Sequence, residues 1–196
     1  MPDPIIGTTK DLPIDPYTLG AWLGDGVERC GRIIKSSEDL AEMFPSLPQY
    51  QGGSMKCPCV TPKGLFRALR LNGLLKDKHI PEAYFSASSD QRLELLRGLL
   101  DTDGTVDKHK GRVEFSQKSE RLTDDMLRLL ATFGIKAHHK IAQKRVSTTG
   151  FVGDYHIITF TTDLPVFRLS RKANRMRPTV RRDSHWRYIR SIEPIP

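Results

Sequence analysis

"LGAWLGDG" runs from Leu19 to Gly26, and "LRGLLDTDG" runs from Leu96 to Gly104. Each is an apolar stretch with a glycine inside it, closing on Asp-Gly. A helix is predicted over Pro16 to Leu23, with Asp15 as N-cap and Pro16 at its first position. Ser89 or Asp90 is predicted to cap the second helix, whose apolar face is Leu93, Leu96, Leu99 and Leu100. A glycine just past a helix is ordinary, because it can take the left-handed conformation that ends one. An aspartate before it is not. Helix C-termini carry partial negative charge, so a carboxylate there costs roughly 0.3–1 kcal/mol. Two such carboxylates at matching positions imply a cation that offsets the repulsion, and two meeting at one point would make a hard-oxygen site suited to Mg²⁺. Gly20 and Gly98 fit the same picture. Glycine weakens a helix interior by about 1 kcal/mol relative to alanine; it is tolerated where another backbone must come close. Two helices packed through these glycines would bring Asp25 and Asp103 together.

The rest of the chain repeats in step with the two stretches. Asp25-Gly26 recurs as Asp103-Gly104, and Gly31-Arg32-Ile33 as Gly111-Arg112-Val113. Ser37-Glu38-Asp39-Leu40 recurs as Ser119-Glu120-Arg121-Leu122, and Leu65-Phe66-Arg67 is echoed by Val166-Phe167-Arg168. Four matches in order point to a diverged tandem duplication. After each motif helix a short strand is expected, "GRIIK" in the first half and "GRVEFSQ" in the second. "SERLTDDMLRLLATFG" is an amphipathic helix closed by Gly134. "IKAHHKIAQKRV" and "DYHIITFTT" read as paired strands across a turn-rich "STTGFVG". The expected fold class is α+β, in two pseudo-symmetric halves that each run helix, strands, helix, strands, helix.

Of 196 residues, 38% are hydrophobic and 28% charged, a globular composition. No run of 18 apolar residues exists, and no basic region followed by an apolar one opens the chain. Neither a membrane span nor a signal peptide is expected. The net charge is +8, and it is clustered. Val166–Pro196 holds nine Arg or Lys against two acids, and Lys136–Arg145 holds four bases and no acid. Such clusters attract polyanions, nucleic acid first, although a solvated basic face has the same composition. Cys30, Cys57 and Cys59 form neither a disulfide framework nor a zinc site, which fits a reducing, intracellular compartment.

The two motifs resemble those of LAGLIDADG homing endonucleases, in the degenerate DOD form found in inteins. That resemblance implies two half-domains of αββαββα type, motif helices at the dyad and a β-saddle for DNA. The first half would span residues 12–88 and the second 89–180; residues 181–196 would be a basic segment leading toward a splicing domain. It implies that Asp25 and Asp103 bind metal, and that the preceding Gly24 and Thr102 belong to the same metal site. Mg²⁺ is the implied cofactor, with Mn²⁺ as a substitute. Asp101 answers to Leu23 in the first motif and is expected to be structural. "LLKDKHIPEAYF" resembles the block that carries a catalytic lysine, here Lys78. Its counterpart is Lys172 if the halves are aligned on the Phe-Arg echo and Arg175 if they are aligned on the following proline; Lys172 is preferred because arginine cannot accept a proton. The residues that perform protein splicing are absent from both ends, so the expectation is an endonuclease domain alone or a free-standing relative.

Strand alternation then nominates DNA contacts. Arg32, Lys35, Arg112, Glu114, Ser116 and Lys118 lie on or beside the motif-following strands; Lys136, His138, Lys140, Lys144 and Arg145 lie on the basic strand; Arg175 and Arg177 open the basic tail. Arginine can read guanine edges and glutamate cytosine, while lysines mostly hold phosphates. "DTDGTVD" is not an EF-hand, because its glycine falls at the fourth place and Arg112 stands at the twelfth. His138 and His139 should point to opposite faces. Trp22 and Trp186 are expected in the core. The implied function is a monomeric, site-specific endonuclease making a double-strand break in a long asymmetric DNA target. The alternative is a non-cleaving LAGLIDADG-type binder, such as an RNA maturase or a regulator.

Overall fold

The computed structural model describes residues 5–50, 57–145 and 152–178. Helix α1 spans Pro16–Asp25 and α5 spans Ser89–Asp103. Asp15 caps α1 by accepting from the Thr18 amide. Ser88, one residue earlier than expected, caps α5 in a reciprocal capping box with Gln91. Both helices run in the same direction and touch along their length. A Cβ placed on Gly20 would stand 2.2 Å from the Leu95 carbonyl oxygen, and one on Gly98 would stand 2.2 Å from that of Tyr17. The interior glycines are therefore there for backbone contact.

Gly26 and Gly104 depart from expectation. Neither is left-handed: their φ values are −76° and −87°, and both are extended. A Cβ at Gly26 would lie 2.2 Å from the Trp22 carbonyl oxygen, and at Gly104 2.5 Å from that of Leu100. The requirement is space against the last helical turn, so the chain leaves each helix directly as a strand.

In the second half β3 (Gly104–Val106), β4 (Val113–Gln117), α6 (Glu120–Thr132), β5 (Ala137–Arg145), β6 (Val152–Phe160) and α7 (Ser170–Ala173) follow α5. The four strands form one antiparallel sheet in the order β3-β4-β6-β5. With the helices, this is the αββαββα order. The first half keeps a thinner copy. After α1 come β1 (Ile33–Ile34), α2 (Ser37–Met43), β2 (Cys59–Val60), α3 (Leu65–Leu71) and α4 (Glu82–Phe85). Strands β1 and β2 pair antiparallel, flanked by single pairings of Gly26 with Ile33 and Tyr50 with Cys59. Those four segments lie in the same order as β3-β4-β6-β5, reduced to one or two residues each among the described residues.

One core runs through both halves. Trp22, Leu23, Ile33 and Leu40 from the first and Leu99, Phe115, Met126 and Leu130 from the second are fully buried in a single cluster. The register of β4, β6 and β5 sets Val113 and Phe115 toward this core. Glu114 aligns with Thr159 and His138, and Ser116 with Ile157 and Lys140, on the opposite face. His138 and His139 do alternate, and the His139 ring stacks on His156 at 5.2 Å. No helix among the described residues is long and apolar enough to cross a membrane. Trp22 is in the core as expected; Trp186 lies outside the described residues, as does the segment 181–196.

Candidate active site

The C-terminal ends of α1 and α5 converge, and with them their last-turn carbonyls and both aspartates. A Cβ on Gly24 would lie 2.0 Å from Thr102 Oγ1 and 3.3 Å from Asp103 Oδ2. The Asp103 carboxylate thus stands beside the residue that precedes Asp25. Burial first, and then the Asp25 charge, pushes its pKa up to about 6. Two parallel helix C-termini add their partial negative charge to the same spot.

Three ammonium groups answer it. Lys78 Nζ donates to the carbonyls of Gly26 at 2.8 Å and Gly24 at 3.2 Å, and sits 5.1 Å over the Trp22 ring. Lys172 Nζ donates to those of Asp101 at 2.7 Å and Leu100 at 2.8 Å, with Thr102 at 3.5 Å. Each lysine closes the helix that carries its own half's aspartate. Burial lowers the pKa of both, that of Lys172 to about 8. Lys35, expected on the DNA face, lies instead at the carboxylates: its Nζ is 2.5 Å from Asp25 Oδ2 and 3.1 Å from the Thr102 carbonyl oxygen. The strand before it is only two residues long, so Lys35 falls past its end, where alternation no longer governs direction.

Gln117 was not nominated by the sequence. Its Nε2 donates to Asp103 Oδ2 at 3.0 Å, the contact that Lys35 makes to Asp25. The Ser37/Ser119 match in the repeat places Lys35 opposite Gln117, which was the available signal. Asp101 is structural: buried, it accepts from the Tyr17 hydroxyl at 2.8 Å and from the Arg168 and Leu169 amides, just ahead of α7.

The chemistry of the cluster suits a divalent cation. Burial, and after it the Asp25 charge, penalises the ionised Asp103 carboxyl and raises its pKa to about 6, a penalty that a bound cation would relieve. Among the described residues no three His, Cys, Asp or Glu are grouped so as to hold a metal ion, so ligands beyond the two aspartates would be carbonyls, water or substrate oxygens. The carbonyls of Gly24 and Thr102, expected to face metal, accept lysine hydrogens here because helix-end carbonyls need donors.

The nominated DNA residues divide. Arg32, Arg112, Lys118, Lys136, His138, Lys140, Arg175 and Arg177 are exposed, while Glu114 and Ser116 are partly exposed on the outer face of the large sheet. Lys118 Nζ lies 5.2 Å over the Tyr155 ring, and Arg177 donates to the Lys108 carbonyl at 3.3 Å. Lys144 and Arg145 are part of β5, but their side chains lie outside the described set. Arg175, the other counterpart considered for Lys78, is exposed, whereas Lys172 is buried at the helix end.

Residues 90–165 match the family model described as a LAGLIDADG-like domain. The chain is 34% identical over 192 residues to the replicative DNA helicase DnaB of Mycobacterium intracellulare, covering 95% of this chain and 31% of the helicase. It is 27% identical over 160 residues to the ATP-dependent DNA helicase Hel308 of Methanocaldococcus jannaschii, covering 71% of this chain and 13% of that protein. The chain thus spans less than a third of the length of either relative. The structure of the homing endonuclease I-DmoI in complex with DNA and Ca is similar at a TM-score of 0.48 and 16% identity, covering 76% of this chain and 83% of that one. Over residues 90–165 the chain carries a LAGLIDADG-like domain.

Proposed function

We propose that this protein is a site-specific DNA endonuclease that hydrolyses one phosphodiester in each strand of a duplex. The observation that carries the proposal is the convergence of Asp25 and Asp103 at paired helix ends, each with a lysine from its own half. Asp25 and Asp103 would hold Mg²⁺ or Mn²⁺, and the bound ion would supply Lewis-acid stabilisation of the charge that grows on the scissile phosphate. The chain's own groups do the rest. Lys172, with its pKa near 8, can take the proton of the attacking water at Nζ. Lys78, also lowered, serves the other half in the same way. Water oxygen bonds to phosphorus as its proton passes to the lysine, the bond to one deoxyribose oxygen breaks, and that oxygen takes a proton from solvent, so the products are a phosphate and a hydroxyl end. The outer face carrying Glu114, Ser116, His138 and Lys140 would lie in the major groove as β-ribbon readers do.

Both motifs lie in one chain, so a monomer would supply the pair of sites. The relatives support an intein setting. Two different helicases, DnaB and Hel308, share this segment over a minor part of their length, the pattern of a mobile inserted domain. The natural target would then be the uninterrupted allele of the host gene, with a replicative helicase gene as first candidate. Incubation with Mg²⁺ and a plasmid carrying that uninterrupted gene tests the reading. Linear plasmid with wild-type protein, and none in EDTA, supports it; supercoiled plasmid bound but uncut favours a non-cleaving binder.

A further inference from the structure

The residue just before each lysine reaches across to the other half. Arg171, before Lys172, grips Asp39 of α2 with two bonds, Nε to Oδ1 at 2.7 Å and Nη2 to Oδ2 at 2.5 Å. Asp77, before Lys78, is paired with Arg121 of α6. Asp39 and Arg121 occupy the same place in the repeat, third in Ser-Glu-Asp-Leu and third in Ser-Glu-Arg-Leu. The two ion pairs are therefore related by the pseudo-dyad with their signs exchanged. Divergence that merely neutralised a surface charge would not have inverted both partners.

We infer that Asp39–Arg171 and Arg121–Asp77 are reciprocal braces through which each half positions the other half's lysine. This rests on the reading of Lys78 and Lys172 as the groups that serve cleavage. The two braces differ in depth. Asp39 keeps 8% of its side chain exposed, and the Arg171 guanidinium holds its carboxyl below the usual range. Arg121 and Asp77 are both more than half exposed, but the Asp77–Lys78 loop has a second anchor in the Asp125 carboxylate, which accepts from the Ile80 amide at 2.7 Å. The inverted signs also make each half complementary to the other and not to itself. Two first halves would oppose Asp39 to Asp77, and two second halves Arg121 to Arg171.

Acetic anhydride labelling of the DNA-free protein, read lysine by lysine by mass spectrometry, tests the braces whether or not the protein cuts DNA. Asp39→Asn should speed labelling of Lys172 several-fold, since it breaks a two-bond pair whose carboxylate is buried although its guanidinium is half exposed, and leave Lys78 unchanged. Arg171→Gln should do the same, and serves if Asp39→Asn folds poorly. Arg121→Asp should speed Lys78 alone, by only about twofold because that pair is exposed, and Asp77→Arg added to it should restore the wild-type rate. Equal acceleration at both lysines, or none at either, overturns the inference. On a cleavable duplex, Asp39→Asn should slow one strand by about 10–100-fold, the scale of a misplaced catalytic group, and spare the other. If wild-type protein cuts nothing while the labelling pattern holds, the cleavage reading fails and the braces stand.

Discussion

Lys35 Nζ stands 2.5 Å from Asp25 Oδ2, in the place that the Gln117 amide takes toward Asp103. One motif aspartate is therefore matched with an ammonium and its twin with a neutral amide. An ammonium on a carboxylate competes with any other cation for it. Lys35→Met should tighten Mn²⁺ binding to the DNA-free protein by about tenfold or more, since a like charge a few ångströms away costs about 1 kcal/mol even at the dielectric of water and more in a partly buried site. Electron paramagnetic resonance titration of free Mn²⁺ checks this; unchanged affinity would mean that Lys35 and the ion do not share Asp25.

Asp103 is raised from the usual 3.8 to about 6. Between those values the folded state holds more protons than the unfolded one, so this group makes metal-free protein more stable as pH falls from about 6 toward 4. Above pH 6 its ionised form is a full liability. Asp103→Asn should consequently stabilise the protein in EDTA at pH 7.5, by on the order of 2–3 kcal/mol. That gain should vanish near pH 4. Urea melts at the two pH values measure it.

Gly98→Ala should destabilise the protein by about 1–3 kcal/mol, because its Cβ would strike the Tyr17 carbonyl and the helices cannot part without disturbing the shared core. The better helix propensity of alanine offsets about 1 kcal/mol at most. Thermal melts at fixed salt decide the matter, and a neutral result would show that the two helices can separate freely.

The motif helices were legible because glycine spacing, capping residues and the misplaced acids are local signals that agree. Gly20, Gly98, Asp25 and Asp103 followed from them directly. The conformation of Gly26 and Gly104 was not legible, since crowding against Trp22 and Leu100 looks in sequence like an ordinary helix stop. Lys35 was misplaced because a lysine after "GRII" continues a strand pattern that the folded chain ends at Ile34. Gln117 and the braces were invisible for another reason. Arg171 and Asp39 lie 132 residues apart, and only the folded chain brings such pairs together. The large sheet was read well from its alternation, while its thin copy in the first half was hidden by strands of two residues.

Lys78→Ala and Lys172→Ala should each slow hydrolysis of one strand by about 10²-fold or more, the contribution typical of general acid–base groups, and leave nicked duplex as the product. The nicks should fall on opposite strands. Single-turnover assays on end-labelled duplex resolve this, and a loss on both strands from either variant would place both lysines in one site.

The central claim is that one chain uses Asp25 and Asp103 to cut both strands of a specific duplex. The most direct measurement is selection from a plasmid library with a randomised insert, with Mg²⁺ present and double-strand ends captured and sequenced. Wild-type protein should enrich a single asymmetric sequence, while Asp25→Asn and Asp103→Asn should enrich none although both still bind that sequence. Ends enriched equally by either aspartate variant, or no ends with wild-type protein that binds DNA specifically, would contradict the account.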